Sequence, residues 1–370
     1  MKRDPHIRVS SLLLSVAAIL GGCDDSPMEP AGPTGEGLFV LNSTGQTLVS
    51  FSVSESVAAA VATIDLGAGF DGDAFDLAAG YAVTTVSSFG GSRILFVDLG
   101  SGSVLTTAFP APDLDLANPS APSFDSQGTA WIGGRGSDAI YRARPGDATA
   151  EMVAEEVGTF IERVVPAGDR LYAVDANIDD DGGSYQPLGP GRVVVLSRAG
   201  VEVGVIDLPT SARNPTEAVS TGGILLVLAS GTFDPLTFLP ANDGTIVQVD
   251  LATSALVGAP VELEGNGVSL ELGQDGLVYI TTTSDYQSFD LLVYNPISGS
   301  FIHGPRDPIV VRARDGGRVN CWTATGLVDG RIACVTFSSA EAGRLVIANE
   351  IGQFVDEVRS GFGSTDVAAP

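Results

Sequence analysis

Six stretches of this 370-residue chain open on a residue able to bind or cap, namely Asp73, Asn118, Thr159, Asn214, Asn266 and Asn320. Three positions later stand Asp76, Ala121, Glu162, Glu217, Ser269 and Thr323, and Asp366 near the C-terminal end matches that second series. Carboxylates and amides gathered from separate segments supply oxygen ligands, and a hard cation such as Ca2+ takes roughly six to eight of them. Asn and Asp also cap turns ahead of strands through their own side chains, which explains the Asn series without any ligand. Glu162 and Glu217 fit capping less well, because Glu is not a turn former. The candidate ligand-binding residues are therefore Asp76, Glu162, Asn214, Glu217, Asn266 and Asn320.

A second oxygen-rich cluster runs from Asp175 to Gly183, with Asp175, Asn177, Asp179 and Asp181 as candidate metal ligands. Its alternating oxygens and closing Gly match the first half of an EF-hand-like calcium loop. Counted from Asn177, the twelfth position is Leu188, so the bidentate Glu is missing. The segment is either a structural Ca2+ site or a solvated acidic loop. Ser184–Gly191 extends it into a long insertion, a usual place for recognition on a rigid scaffold.

Other chemistries find little support. His303 is the only histidine beyond the first 22 residues, which disfavours His-rich zinc sites and a Ser-His-Asp triad. No G-x-S-x-G elbow, phosphate loop or dinucleotide fingerprint stands in a fitting context. Cys321 and Cys334 flank an Asp329-Gly330 hairpin and are expected to form a disulfide. A tight turn there would face Cys334 with Thr325, so a longer turn or a bulge is expected.

The elements that would position these residues repeat. Ile94–Leu105, Thr245–Leu256, Leu291–Ile302 and Leu345–Asp356 each read as apolar strand, Asp or Asn, small-residue turn, apolar strand. Recurrence at roughly 40–50 residues marks a solenoid or propeller of small sheets. The unit from Asn266 holds four antiparallel strands, the content of one propeller blade. The expected fold is all-β, a seven-bladed propeller whose C-terminal strand joins the first blade and closes the ring. A six-bladed ring is the alternative, if the weak unit near Asn118 is a distorted insertion. Apolar alternation is imperfect, as expected of sheets buried on both faces. First strands line the channel, so the polar series above would meet at one mouth.

Asp243–Gly258 ("DGTIVQVDLATSALVG") resembles the YVTN-type repeat of bacterial YncE-like propeller proteins. Asp169–Leu196 and Asn214–Val219 also look like the propeller lipoproteins of that group. The resemblance implies fold more than function. The polar mouth resembles, in outline, the central site of Ca-dependent gluconolactonase-like propellers.

Residues 1–22 have the parts of an export signal: Lys2, Arg3 and Arg8, then the apolar Val9–Leu20. Leu20-Gly21-Gly22-Cys23 resembles a bacterial lipobox, which implies lipid on Cys23 as the mature N-terminus. Residues 23–36 read as an acidic Pro/Gly-rich tether and 37–370 as the propeller. Lipid is then the only expected membrane attachment, on the periplasmic or cell-surface side. The formal charge of −26 argues against nucleic acid, which needs a basic face. Two functions follow as expectations: a binding or scaffolding module for a protein or small molecule, or a Ca2+-dependent hydrolase of the lactonase kind. In the latter Glu162, Glu217, Asn266 and Asn320 would hold the ion.

Overall fold

The computed structural model describes residues 37–370 apart from 55–56, 68, 71, 73, 88–90, 111–117, 179–185 and 339. Cys23, the export signal, the tether, Asp73, Asp179 and Asp181 lie outside the described residues. The described chain is all-β, with no α-helix and hence no helix able to cross a membrane. It forms seven four-stranded antiparallel sheets. The stretch near Asn118 is a full blade with a short inner strand, Ser123–Phe124, so the six-bladed alternative falls.

Blades are numbered from the N-terminal end by their inner strands. Blade 1 takes its inner strand from Ser364–Ala368, which pairs with Leu38–Asn42. Blades 2 to 7 start with Phe75–Ala78, Ser123–Phe124, Ile161–Ala167, Pro215–Thr221, Asn266–Leu272 and Thr323–Gly326. The ring is thus closed by the C-terminal strand, as the repeats predict. Asn42 is fully buried at that junction; its Nδ2 donates to the Ser360 carbonyl (2.9 Å) and its Oδ1 accepts from Ser364 Oγ (2.6 Å).

The core explains why strict alternation fails. Each of the seven main apolar clusters draws on two neighbouring blades, for instance Tyr172, Val193 and Val195 of blade 4 with Leu225, Val227 and Val247 of blade 5. In blade 5 the consecutive Leu225, Leu226, Val227 and Leu228 are all fully buried, because each sheet is covered on both faces. Burying one such side chain contributes about 1.5–3 kcal/mol.

The acid of the repeated phrase is a turn device. Asp98 Oδ1 accepts from Gly100 N and Ser101 N at 2.9 Å, and Asn295 Oδ1 accepts from Ile297 N at 2.9 Å and Ser298 N at 3.1 Å. Gly102 and Gly299 end these turns at φ of 70° and 67°, where a side chain would be strained. The phrase therefore writes the hairpin between the third and fourth strands of a blade. It does not supply ligands.

Cys321 and Cys334 are bonded, with Cα atoms 5.4 Å apart. Register puts Ala324 opposite Cys334 with no bulge in the ladder, and Cys321 stands ahead of the strand that begins at Thr323. Both cysteines belong to the apolar cluster between blades 6 and 7.

Candidate functional site

A cavity of 210 Å3 opens at the channel and takes wall residues from every blade, among them Ala74, Ala121, Arg163, Glu217, Ser269, Thr323 and Asp366. The inner strands build this ring with a repeated bulge. Ile161 pairs with Asp175 and Arg163 with Val174; Pro215 pairs with Ala229 and Glu217 with Leu228; Gly267 pairs with Thr282 and Ser269 with Thr281. The closing strand does the same, with Ser364 opposite Asn42 and Asp366 opposite Leu41. The residues squeezed out are Glu162, Thr216, Val268 and Thr365, and a bulge of this kind re-aims the side chain that follows it.

That register corrects two members of the sequence series. Arg163, not Glu162, is the partner of Glu217, Ser269 and Asp366. The backbone counterpart of Asn214 is Phe160 and not Thr159: Ser230 N donates to the Asn214 carbonyl (2.8 Å) as Ala176 N does to that of Phe160 (3.0 Å). Asp76 pairs with Val83 and lies deeper in its strand, level with Glu271, which pairs with Tyr279. Arg163 and Glu271 are functional candidates that sequence reasoning missed. The signal existed in part, since alternate residues of a strand share a face and Glu271 follows Ser269 by two.

The other candidates serve diverse ends. Glu162 is tied to Arg135 at 2.6 Å, with its side chain only 10% exposed. Asn266 accepts from Asn242 N (2.9 Å) and donates to the Thr232 carbonyl (2.7 Å), so it props the 232–242 loop. That loop exposes Leu236, Phe238 and Leu239. Asn214 adopts a left-handed φ of 51°, as a turn former does, and its buried Oδ1 has no partner. Asn320 is exposed and donates to the Gln287 carbonyl (2.8 Å). Asp175 is fully buried and accepts from Thr159 N and Oγ1, Phe160 N, Asn177 N and Arg192 Nε, the last at 2.8 Å. Asn177 Nδ2 donates to the Pro190 carbonyl (3.1 Å), bracing the base of the insertion. Among the described residues no group of three or more His, Cys, Asp or Glu is placed to hold a metal ion.

The electrostatics of the cavity centre on Arg163. Its Nη1 lies 3.5 Å from Glu217 Oε2, and its Nε is buried without a partner. Burial alone would lower its pKa, but Glu217, Asp76, Glu271 and Asp366 outweigh that and raise it. Burial pushes the Glu217 carboxyl up to about 7 against the pull of Arg163, with Asp366 and Glu162 adding repulsion. Burial likewise takes Asp366 to about 6, although Phe75 N and Val367 N donate to it. Glu271 is raised well above the carboxylate range by burial and then by Asp366 and Glu217. Asp76 is also raised by burial, against Arg163 and the N–H groups of Phe124 and Leu77. A positive charge placed among these carboxyls would favour their ionised forms.

One wall is aromatic. Trp322 lines the cavity and packs against Phe289 (5.5 Å between ring centres) and Phe337 (5.2 Å).

No protein-family model and no curated protein matches the sequence. The fold is similar to solved propellers. A candidate 6-phosphogluconolactonase from Bacteroides fragilis aligns over 90% of this chain and 97% of its own, at 10% identity and a TM-score of 0.60. A second, from Bacteroides uniformis, aligns over 90% and 98% at 9% identity and a TM-score of 0.58. Streptogramin B lyase aligns over 83% and 91% at 12% identity and a TM-score of 0.57. At these identities the likeness is one of fold, and a propeller hosts many functions.

Proposed function

We propose that this protein is a YncE-like, lipid-anchored propeller that binds a ligand in its channel, with Glu217, Glu271 and Arg163 as the groups that contact it. One observation carries the reading. Four carboxyls crowd a single guanidinium in a cavity open to solvent, at a cost in folding stability that packing does not require. Cys23 would fix the propeller to a membrane, and the residues 24–36 would give it reach.

The test is a ligand screen by thermal shift on the intact protein and on Glu217→Gln. Compounds that raise the melting temperature of the first and not of the second support the reading. Lactone hydrolysis that needs both Glu217 and added Ca2+ would replace it with the hydrolase reading. Anchoring is tested apart: Cys23→Ala should move the protein from the membrane fraction to the soluble one.

A further inference from the structure

We propose that the channel cavity receives an organic cation, a primary ammonium or guanidinium group, which settles between Glu217 and Glu271 with the hydroxyls of Thr323 and Thr365 completing its acceptors. This rests on the binding reading above and adds the chemical class of the ligand.

The argument begins with which oxygens are already taken. The charged groups lining the cavity are the carboxyls of Glu217, Glu271 and Asp366 and the guanidinium groups of Arg135 and Arg163, and behind these stand Asp76, which acts on Arg163, and Glu162, which is paired with Arg135. Arg135 is spent on Glu162. Asp76 accepts from Leu77 N (2.8 Å) and Phe124 N (2.6 Å), and Asp366 from Val367 N (2.7 Å) and Phe75 N (3.0 Å). These two acids latch blade 2 to blade 3 and blade 1 to blade 2. Glu217 and Glu271 carry no backbone donor of that kind, and the ion pair that Glu217 makes, with Arg163 at 3.5 Å, is long for a strong one. The site holds more acid than base, and the carboxyls that no backbone donor satisfies are these two.

Two hydroxyls supply an independent sign of a missing partner. Thr323 is 1% exposed and Thr365 9%, both line the cavity, and neither Oγ1 has a hydrogen-bond partner. A buried hydroxyl without a partner costs about 1–3 kcal/mol. An ammonium brings three donors, enough to serve a carboxylate and both threonines together.

Carbon on the cation is favoured by the wall. Trp322 lines the same cavity, and an aromatic face attracts an ammonium or guanidinium while covering its apolar stem. A bare Ca2+ ion gains nothing from that wall and wants roughly six to eight oxygens, more than this site leaves free. An anion would meet the acid surplus. The same cation could come from a free amine or from the Lys or Arg side chain of a partner protein.

Calorimetric titration of the intact protein tests this with 1,6-diaminohexane, the equally long 1,6-hexanediol, Nα-acetyl-lysine amide, adipate and CaCl2. The diamine or the lysine amide should bind at least tenfold more tightly than the diol, and more tightly at pH 8 than at pH 5. Its heat should vary with the ionisation enthalpy of the buffer, because protons leave as it enters. Glu217→Gln with Glu271→Gln should weaken the binding at least tenfold, and Thr323→Val, which keeps the side-chain shape, several-fold. Preference for the lysine amide assigns the source to a partner protein, and preference for the diamine to a free amine. Equal or tighter binding of the diol or adipate overturns the cation and leaves the binding reading standing. So does Ca2+ binding that the double variant abolishes while neither amine binds. Failure of every probe to bind or to notice the variants overturns both.

Discussion

Glu271 of blade 6 and Asp366 on the strand that closes blade 1 line the same channel cavity, and the Asp366 carboxyl adds to burial in holding Glu271 well above the usual carboxylate range. The pair joins the most acidic part of the cavity to the closure of the ring.

The two members should therefore respond oppositely to loss of charge. Glu271→Gln removes a buried acid whose ionised form repels Glu217 and Asp366, so at pH 8 it should stabilise by about 1 kcal/mol or more. Asp366→Asn leaves at least one of the N–H groups of Phe75 and Val367 poorly served and should destabilise by about 1–3 kcal/mol. Urea unfolding of both variants at pH 8 checks the signs; the same sign for both would contradict this division of roles.

Stability should fall as the pH rises from about 5 to 8. Glu217 has a folded pKa of about 7 and Asp366 of about 6, each above its unfolded value. The folded state holds more protons in that window, so each pH unit removes stability until the folded pKa is passed. For Glu217 alone the loss is on the order of 3 kcal/mol. Glu217→Gln should flatten the profile between pH 5 and pH 7, as read by denaturant midpoints at fixed ionic strength.

Asp175 should be a stability residue of blade 4. Replacing it with Ala strands the N–H groups of Thr159, Phe160 and Asn177 in a buried place and frees Arg192. A cost of about 3 kcal/mol is expected, measured by unfolding midpoint. Ligand binding in the channel should survive at temperatures where the variant stays folded.

The disulfide joins two residues 13 positions apart in blade 7. Cys321→Ser with Cys334→Ser should cost about 3 kcal/mol, and reductant should lower the melting temperature of the parent and not of the variant. Two titratable thiols in the unreduced native-source protein would contradict the bond.

The blade count and the split first blade were legible in the sequence because hairpin turns and strand lengths repeat. The matching register of Glu217 and Asp366 was legible the same way, and the cysteine pairing from the hairpin that the two cysteines flank. What failed was single-residue register. A bulge inserts one residue without changing composition, so Glu162 took the place that belongs to Arg163. Arg163 carries no sign of its role in the sequence, since nothing local announces that four distant carboxyls will surround it. Asn266 was read as a ligand because its type suited one; only the tertiary contacts show it holding a loop.

Closing the ring has a consequence for the order of folding. Asn42 and Ser364 meet although 322 positions separate them. Bringing such distant segments together costs about 3 kcal/mol more in chain entropy than closing a local hairpin. Blades 2 to 7 are each built from neighbouring residues, so they can form one by one as an open arc. The last contact made is then the one that brings Asp366 into the ring with Glu271, and an unfinished arc contains blades 2 to 7 yet lacks the assembled cavity. Occupancy of that cavity is in this sense a signal that the circle is complete.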